Sequence, residues 1–142
     1  MTDHARIAAE PEARVGQYMT KMPKCIDLDA DLVKALEIMQ ENDIRHLPVM
    51  DGSELEGVVS ERDLSVIESL LPEEWQQISV AEAMTPGPYA VSPETPLAEV
   101  AKHMARQKLG CAVVTGAHGE VIGLFTTTDA LHVLADWAVD VA

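Results

Sequence analysis

Apolar positions along the chain change period in a fixed order, and they do so twice. Leu32, Ala35, Leu36 and Met39 recur at i, i+3, i+4 and i+7, and so do Leu97, Val100, Ala101 and Met104. Both sets predict amphipathic helices. Asp31 gives the first a start signal, and Thr95 or Pro96 gives one to the second. Two short apolar runs follow each helix: 47–50 and 55–59 around Asp51-Gly52, then 112–115 and 121–125 around residues 116–119. Such pairs of runs across a glycine turn predict β-hairpins. A brief strand, at 25–26 and again at 90–91, precedes each first helix, and a second helix follows each hairpin. The predicted order is strand, helix, strand, strand, helix, twice, which makes an α+β chain.

The two halves can be laid on one another. Met19-Thr20 matches Met84-Thr85 at an offset of 65 (84 − 19), and Pro23, Leu32 and Met39 match Pro88, Leu97 and Met104 at the same offset. After the hairpin the offset is 66 (126 − 60), because the second turn carries one extra residue. A repeat of this length is one supersecondary unit used twice. It divides the chain into a flexible tail (1–14), a first repeat (15–70), a linker opening on Leu71-Pro72-Glu73-Glu74 (71–79) and a second repeat (80–142). The last helix is unusual, since only His132 and Asp136 are polar between 130 and 139. An arc that apolar, with Trp137 on it, is expected to be buried between the repeats or against a second copy, and a homodimer through this helix is predicted.

Composition narrows the function. The chain has 142 residues and 47% are hydrophobic, enough for a core, but only 4% are aromatic. That core must be aliphatic. A net charge of −14 disfavours nucleic acid and anionic membranes, which are bound through Lys and Arg. Cys25 and Cys111 fall in predicted strands with no CxxC spacing, so two free, buried thiols in a reducing cytoplasm are expected. The N-terminal stretch reads as neither signal peptide nor membrane anchor. No metal cluster, GxGxxG loop or nucleophile–base pair is apparent, which argues against an enzyme.

The most informative stretch is Gly57-Val58-Val59-Ser60-Glu61-Arg62-Asp63, which returns as Gly123-Leu124-Phe125-Thr126-Thr127-Thr128-Asp129. Each sets a hydroxyl and a carboxylate on the first turn of a helix fed by a strand. Unpaired N–H groups and the positive end of the helix dipole lie there, so the corner can hold a phosphate or bond a sugar hydroxyl. The same spacing also describes a capping box with no ligand at all.

Met19-Thr20 with Pro23, Asp43-Ile44-Arg45-His46-Leu47-Pro48-Val49 and the Gly57–Leu64 stretch together resemble one cystathionine β-synthase (CBS) domain. The second half, from Met84-Thr85 through Asp129, resembles another, and the match covers about nine-tenths of the chain in register. The resemblance implies two βαββα repeats packed through their sheets about a pseudo-twofold axis (a Bateman module), dimers of such pairs, and regulatory binding of adenosyl ligands. These include AMP, ADP, ATP, S-adenosylmethionine and sometimes NAD. No cofactor is required; the adenosyl ligand is regulatory.

Carried over residue by residue, the resemblance gives Asp63 and Asp129 the ribose hydroxyls, and Ser60 and Thr126 the ribose or phosphate. The backbone at Ile44, Arg45 and His46, and at Leu109, Gly110 and Cys111, would line the adenine pocket, with Lys24 and Tyr89 on its other wall. Pro48 shapes the strand edge where the second repeat has Val113. Thr20 is grouped with the first motif and Thr85 with the second. Chemistry separates the copies: Arg45, His46 and Arg62 become Gly110, Cys111 and Thr128. The first motif therefore offers phosphate its cations, and a bound phosphate could protonate His46. Solvated surface charges paired with Glu61 or Asp43 are the other reading of the arginines. The net charge favours AMP over ATP. Two functions stay open: a nucleotide sensor read by an unknown regulated protein, and a ligand-free interaction module.

Overall fold

Asp31 stands in extended backbone, and its carboxylate accepts the Lys34 N–H at 2.9 Å. That cap fixes the start of α1 (Leu32–Asn42). The computed structural model of the chain describes residues 12–139. Most of the predicted tail, and positions 140–142 of the second repeat, lie outside them.

In chain order the remaining elements begin with β1 (Thr20–Lys21) and β2 (Ile26–Asp27), which precede α1. β3 (His46–Asp51), β4 (Glu54–Ser60) and α2 (Glu61–Leu70) follow, then a short α3 (Val80–Ala83). Next are β5 (Thr85–Pro86), β6 (Ala90–Val91), α4 (Leu97–Gln107), β7 (Cys111–Thr115), β8 (Val121–Thr126) and α5 (Thr127–Val139). The expected order is present twice, with the short helix α3 and two short strands added. Each copy opens with an extra short strand, β1 or β5.

Those strands show where sequence repeat and compact unit part company. Of the described residues, one unit comprises Pro23–Pro88 with His118–Val121; the other comprises those up to Met22, Tyr89–Ala117 and those from Ile122 on. The first holds the sheet β2-β3-β4-β5 and the second the sheet β1-β8-β7-β6. β5, written at the head of the second repeat, pairs antiparallel with β4 of the first (Gly57↔Pro86, Val58↔Thr85). β1 pairs in the same way with β8 (Thr20↔Leu124, Lys21↔Gly123). The exchange includes the turns that lead into these strands. Val80 N–H donates to Ala30 C=O at 2.7 Å, and Leu32 N–H to Ile78 C=O at 3.1 Å. At the matching places Val15 N–H donates to Thr95 C=O and Leu97 N–H to Ala13 C=O, both at 2.9 Å.

Each unit has its own core, aliphatic but for Phe125 in the second. Ile26, Leu32, Ala35, Met39, Leu47, Val49, Val59, Leu64 and Val80 form one. Val15, Val91, Leu97, Val100, Met104, Val114, Phe125 and Val133 lead the other. Val80 and Val15 are wholly buried, so each exchanged segment supplies a core side chain and not only backbone pairing.

Pro48 shifts one ladder. In the second copy Val113 N–H donates to Tyr89 C=O at 2.9 Å, and β6 begins at Ala90. Pro48 has no N–H to donate at the equivalent place, and β2 begins a residue later, at Ile26. Cys25 therefore precedes its strand instead of lying within it, and both free thiols are only half-buried. The last helix is covered by its own chain on one side only. Val133 is buried, and Ala130 and Trp137 pack on their own core, but Leu131 is 65% and Leu134 45% exposed. Among the described residues no helix is long and apolar enough to cross a membrane.

Candidate functional site

The repeated motif makes the same corner in both units. Where β4 turns into α2, Ser60 is extended and its hydroxyl accepts the Asp63 N–H at 3.1 Å. Asp63 Oδ2 accepts the Ser60 N–H at 2.9 Å in return. At the β8–α5 turn Thr126 Oγ1 accepts from Asp129 N–H at 3.1 Å, and Asp129 Oδ2 from Thr126 N–H at 2.9 Å. Both are reciprocal capping boxes. The loops that face them also match: Glu61 N–H donates to Arg45 C=O at 2.8 Å, and Thr127 N–H to Gly110 C=O at 3.0 Å. The cap does not exhaust the carboxylates, because an ionised carboxylate has about four acceptor sites and each cap uses one.

The strand exchange changes which residues meet. Grouping Thr20 with the first motif is wrong in space: its hydroxyl lies 3.3 and 3.4 Å from the two oxygens of Asp129. Thr85, assigned to the second motif, stands on β5 opposite Val58, on the strand that leads to Ser60 and Asp63. Periodicity could not have revealed this, since Thr20 meets a residue 109 positions away and not the motif of its own repeat.

The exchange also explains the glycine that opens each motif. A Cβ on Gly57 would lie 2.6 Å from Thr85 C=O and 2.8 Å from Met84 Sδ, and one on Gly123 would collide with Met19 Sδ. Only glycine lets the exchanged Met-Thr segment lie so close. Met19 and Met84 hold these segments in place, a role that sequence reading missed although both copies carry the Met and the Gly.

The remaining predicted residues divide by position. Ile44 and Leu109 follow left-handed helix ends at Asp43 (φ 51°) and Lys108 (φ 57°). Their N–H groups return to Met39 and Met104 C=O at 3.0 and 2.9 Å. The two predicted adenine-lining backbones thus leave α1 and α4 by the same turn. Arg45, Arg62 and Lys24 are exposed, as is Thr128 in the first turn of α5, and Pro48 is buried in β3 opposite Val58. Tyr89 is half-buried, and its ring is stacked on His103 with centroids 4.0 Å apart. His103 was not singled out by its sequence position. Its only signal is placement on the exposed side of α4.

Electrostatics keep the two corners distinct. His46 stands opposite Ser60 across the β3–β4 ladder. Burial lowers its pKa, the Asp63 carboxylate pulls it up, and the Arg45 guanidinium lowers it again. At the matching place burial pushes the Cys111 thiol up to about 11, so it stays neutral. Burial also raises the Tyr89 hydroxyl, with a smaller contribution from Glu99. One corner thus has a titratable imidazole beside Arg45 and Asp63, and the other has a neutral thiol and hydroxyls.

The sequence profile of the CBS domain matches residues 15–67 and again 80–136. The chain is 32% identical over 130 residues to a CBS domain-containing protein of Dictyostelium discoideum, covering 84% of this chain and 90% of that one. It is 35% identical over 99 residues (70% of this chain) to the inosine-5'-monophosphate dehydrogenase of Korarchaeum cryptofilum, but spans only 20% of that enzyme's length. Among solved structures it resembles AcuB from Vibrio cholerae, with a TM-score of 0.77 and 28% identity over 87% of this chain and 91% of that one. CBSX2, a CBS-pair protein of Arabidopsis thaliana, solved in complex with AMP, gives a TM-score of 0.74 and 28% identity over 87% and 96%. With the profile matched in both halves and the internal repeat in register with it, the chain belongs to the CBS-domain family as a tandem pair.

Proposed function

We propose that the chain is a regulatory module that binds an adenosine nucleotide and passes the event on through a change in packing. The observation that carries this reading is the pair of aspartates, Asp63 and Asp129. Each heads a helix with acceptor capacity left after its capping bond. The likeness to CBSX2, solved with AMP, supports it. AMP is the first candidate, because a charge of −14 repels the further phosphates of ADP and ATP at longer range. S-adenosylmethionine and NAD are the other adenosyl ligands to compare. A ligand shifts packing only by its difference in affinity between two arrangements, so the regulated partner must read that difference.

Isothermal calorimetry with AMP, ATP, S-adenosylmethionine and NAD tests the proposal. Binding of one of them, lost on Asp63→Ala and Asp129→Ala together, supports it. Absence of heat and of any thermal shift with all four rejects it.

Completeness of both capping boxes favours a second reading, an interaction module without a ligand. On that reading the same alanine substitutions cost about 1 kcal/mol of stability each and nothing else. Catalysis is not part of either proposal; nucleotide hydrolysis abolished by one substitution would restore it. Self-association through α5 belongs to the proposal as well, because Leu131 and Leu134 leave an apolar face uncovered. Sedimentation showing a monomer at micromolar concentration would remove it. Two free thiols fit a reducing compartment, the cytoplasm.

A further inference from the structure

We propose that Thr20 is a built-in competitor at Asp129, so that the two corners take up ligand in a fixed order, Asp63 first. This rests on reading both aspartates as sugar acceptors, and it adds how that pair is regulated. The capping boxes are equal in geometry, 2.9 and 3.1 Å in each. What differs is a third donor. Thr20 Oγ1 lies 3.3 Å from Asp129 Oδ1 and 3.4 Å from Oδ2, placing a hydroxyl against the carboxylate as a sugar hydroxyl would be placed. A hydroxyl has one proton, so Thr20 donates to one oxygen at a time while crowding both. Thr85 holds the equivalent register, opposite Val58 as Thr20 is opposite Leu124. Among the described residues Asp63 accepts only from Ser60.

The asymmetry has a cause in side chains. Two residues before Thr20, the Tyr18 ring meets Trp137 of α5 edge-on, with centroids 5.6 Å apart and planes at 88°. This contact fastens the Thr20 segment to the same helix that presents Asp129. At the matching offsets the other repeat has Ala83 and Leu71, with no aromatic pair to make that contact. A diol arriving at Asp129 must displace or share with Thr20, whereas at Asp63 it meets an oxygen with no competing donor.

AMP titrations in the Asp63→Asn background, where only the Asp129 corner is left to respond, provide the test. Thr20→Val, which keeps the branched shape and removes the hydroxyl, is expected to tighten AMP about three- to tenfold, the worth of one net hydrogen bond. Thr20→Ser restores the weaker binding, and Tyr18→Ala shifts affinity in the same direction as Thr20→Val. Thr20→Ala gives the same readout should the valine disturb β1. Unchanged or weaker AMP binding in both hydroxyl-free variants overturns the competitor role while leaving the sugar-acceptor reading intact. No AMP binding by the wild type and by every variant overturns that reading and this inference together.

Discussion

Met22 and Gly87 occupy the same place in the two repeats and share a left-handed backbone, with φ of 49° and 63°. In one copy the residue suits the conformation, and in the other it does not. Met22 is 86% exposed and loses almost no packing if its side chain is removed. Met22→Gly is therefore expected to stabilise the protein by about 0.5–1 kcal/mol, after the extra chain entropy of glycine is subtracted. Urea unfolding checks it; a lower midpoint would mean that the methionine makes a contact worth more than its strain.

The exchanged segments make a regional prediction. Val15 belongs to the first sequence repeat but is wholly buried among Val91, Leu97, Val100 and Phe125. Val15→Ala is expected to cost about 2 kcal/mol. It should speed amide exchange in β7 and β8, not in β3 and β4. Val80→Ala should do the reverse. Loss of protection confined to the repeat in which each valine is written would contradict the exchange.

His46 gives a pH dependence. Burial depresses its folded pKa below the ordinary 6.5, with Arg45 adding to this and Asp63 opposing it. The unfolded chain then binds the proton more readily, so stability rises with pH in this window. The contribution is fully present above the ordinary histidine pKa and is lost as pH falls through the folded value. The melting temperature of His46→Gln should accordingly fall less between pH 7 and pH 5 than that of the wild type. Parallel profiles would show that the imidazole titrates as if in water.

Cys111 should be chemically quiet. A pKa raised from 9.0 to about 11 leaves about a hundredfold less thiolate at pH 8. Native-state reaction with a disulfide reagent should be slower than that of a free cysteine by a similar factor, and unfolding in guanidinium should restore it. Rapid native labelling at Cys111 would place that strand in a more open environment than its burial implies.

Much of this architecture was legible because it rests on local chemistry. Asp31, the hairpin glycines and the Leu32 and Leu97 helix faces each carry their signal within a few residues. Ser60–Asp63 and Thr126–Asp129 were legible as corners for the same reason. The partners of Thr20 and Thr85 were not, because pairing of a strand from one repeat with a strand of the other leaves no periodic trace. Pro48 shows a smaller miss of this kind. Its effect appears one strand away, as a later start for β2. The apolar face of α5 was read correctly as apolar, but period alone cannot say whether Leu131 and Leu134 meet the same chain or another.

The borrowed strands bear on how such a chain could have arisen. Half of it alone would keep β2, β3 and β4 but lack β5 beside β4, leaving a bare sheet edge and a gap where Val80 sits. Before duplication, an ancestor with a single copy could have completed itself by lending its opening strand to a twin and receiving one back. Fusion of the two copies would then have turned a reciprocal loan between molecules into an internal one.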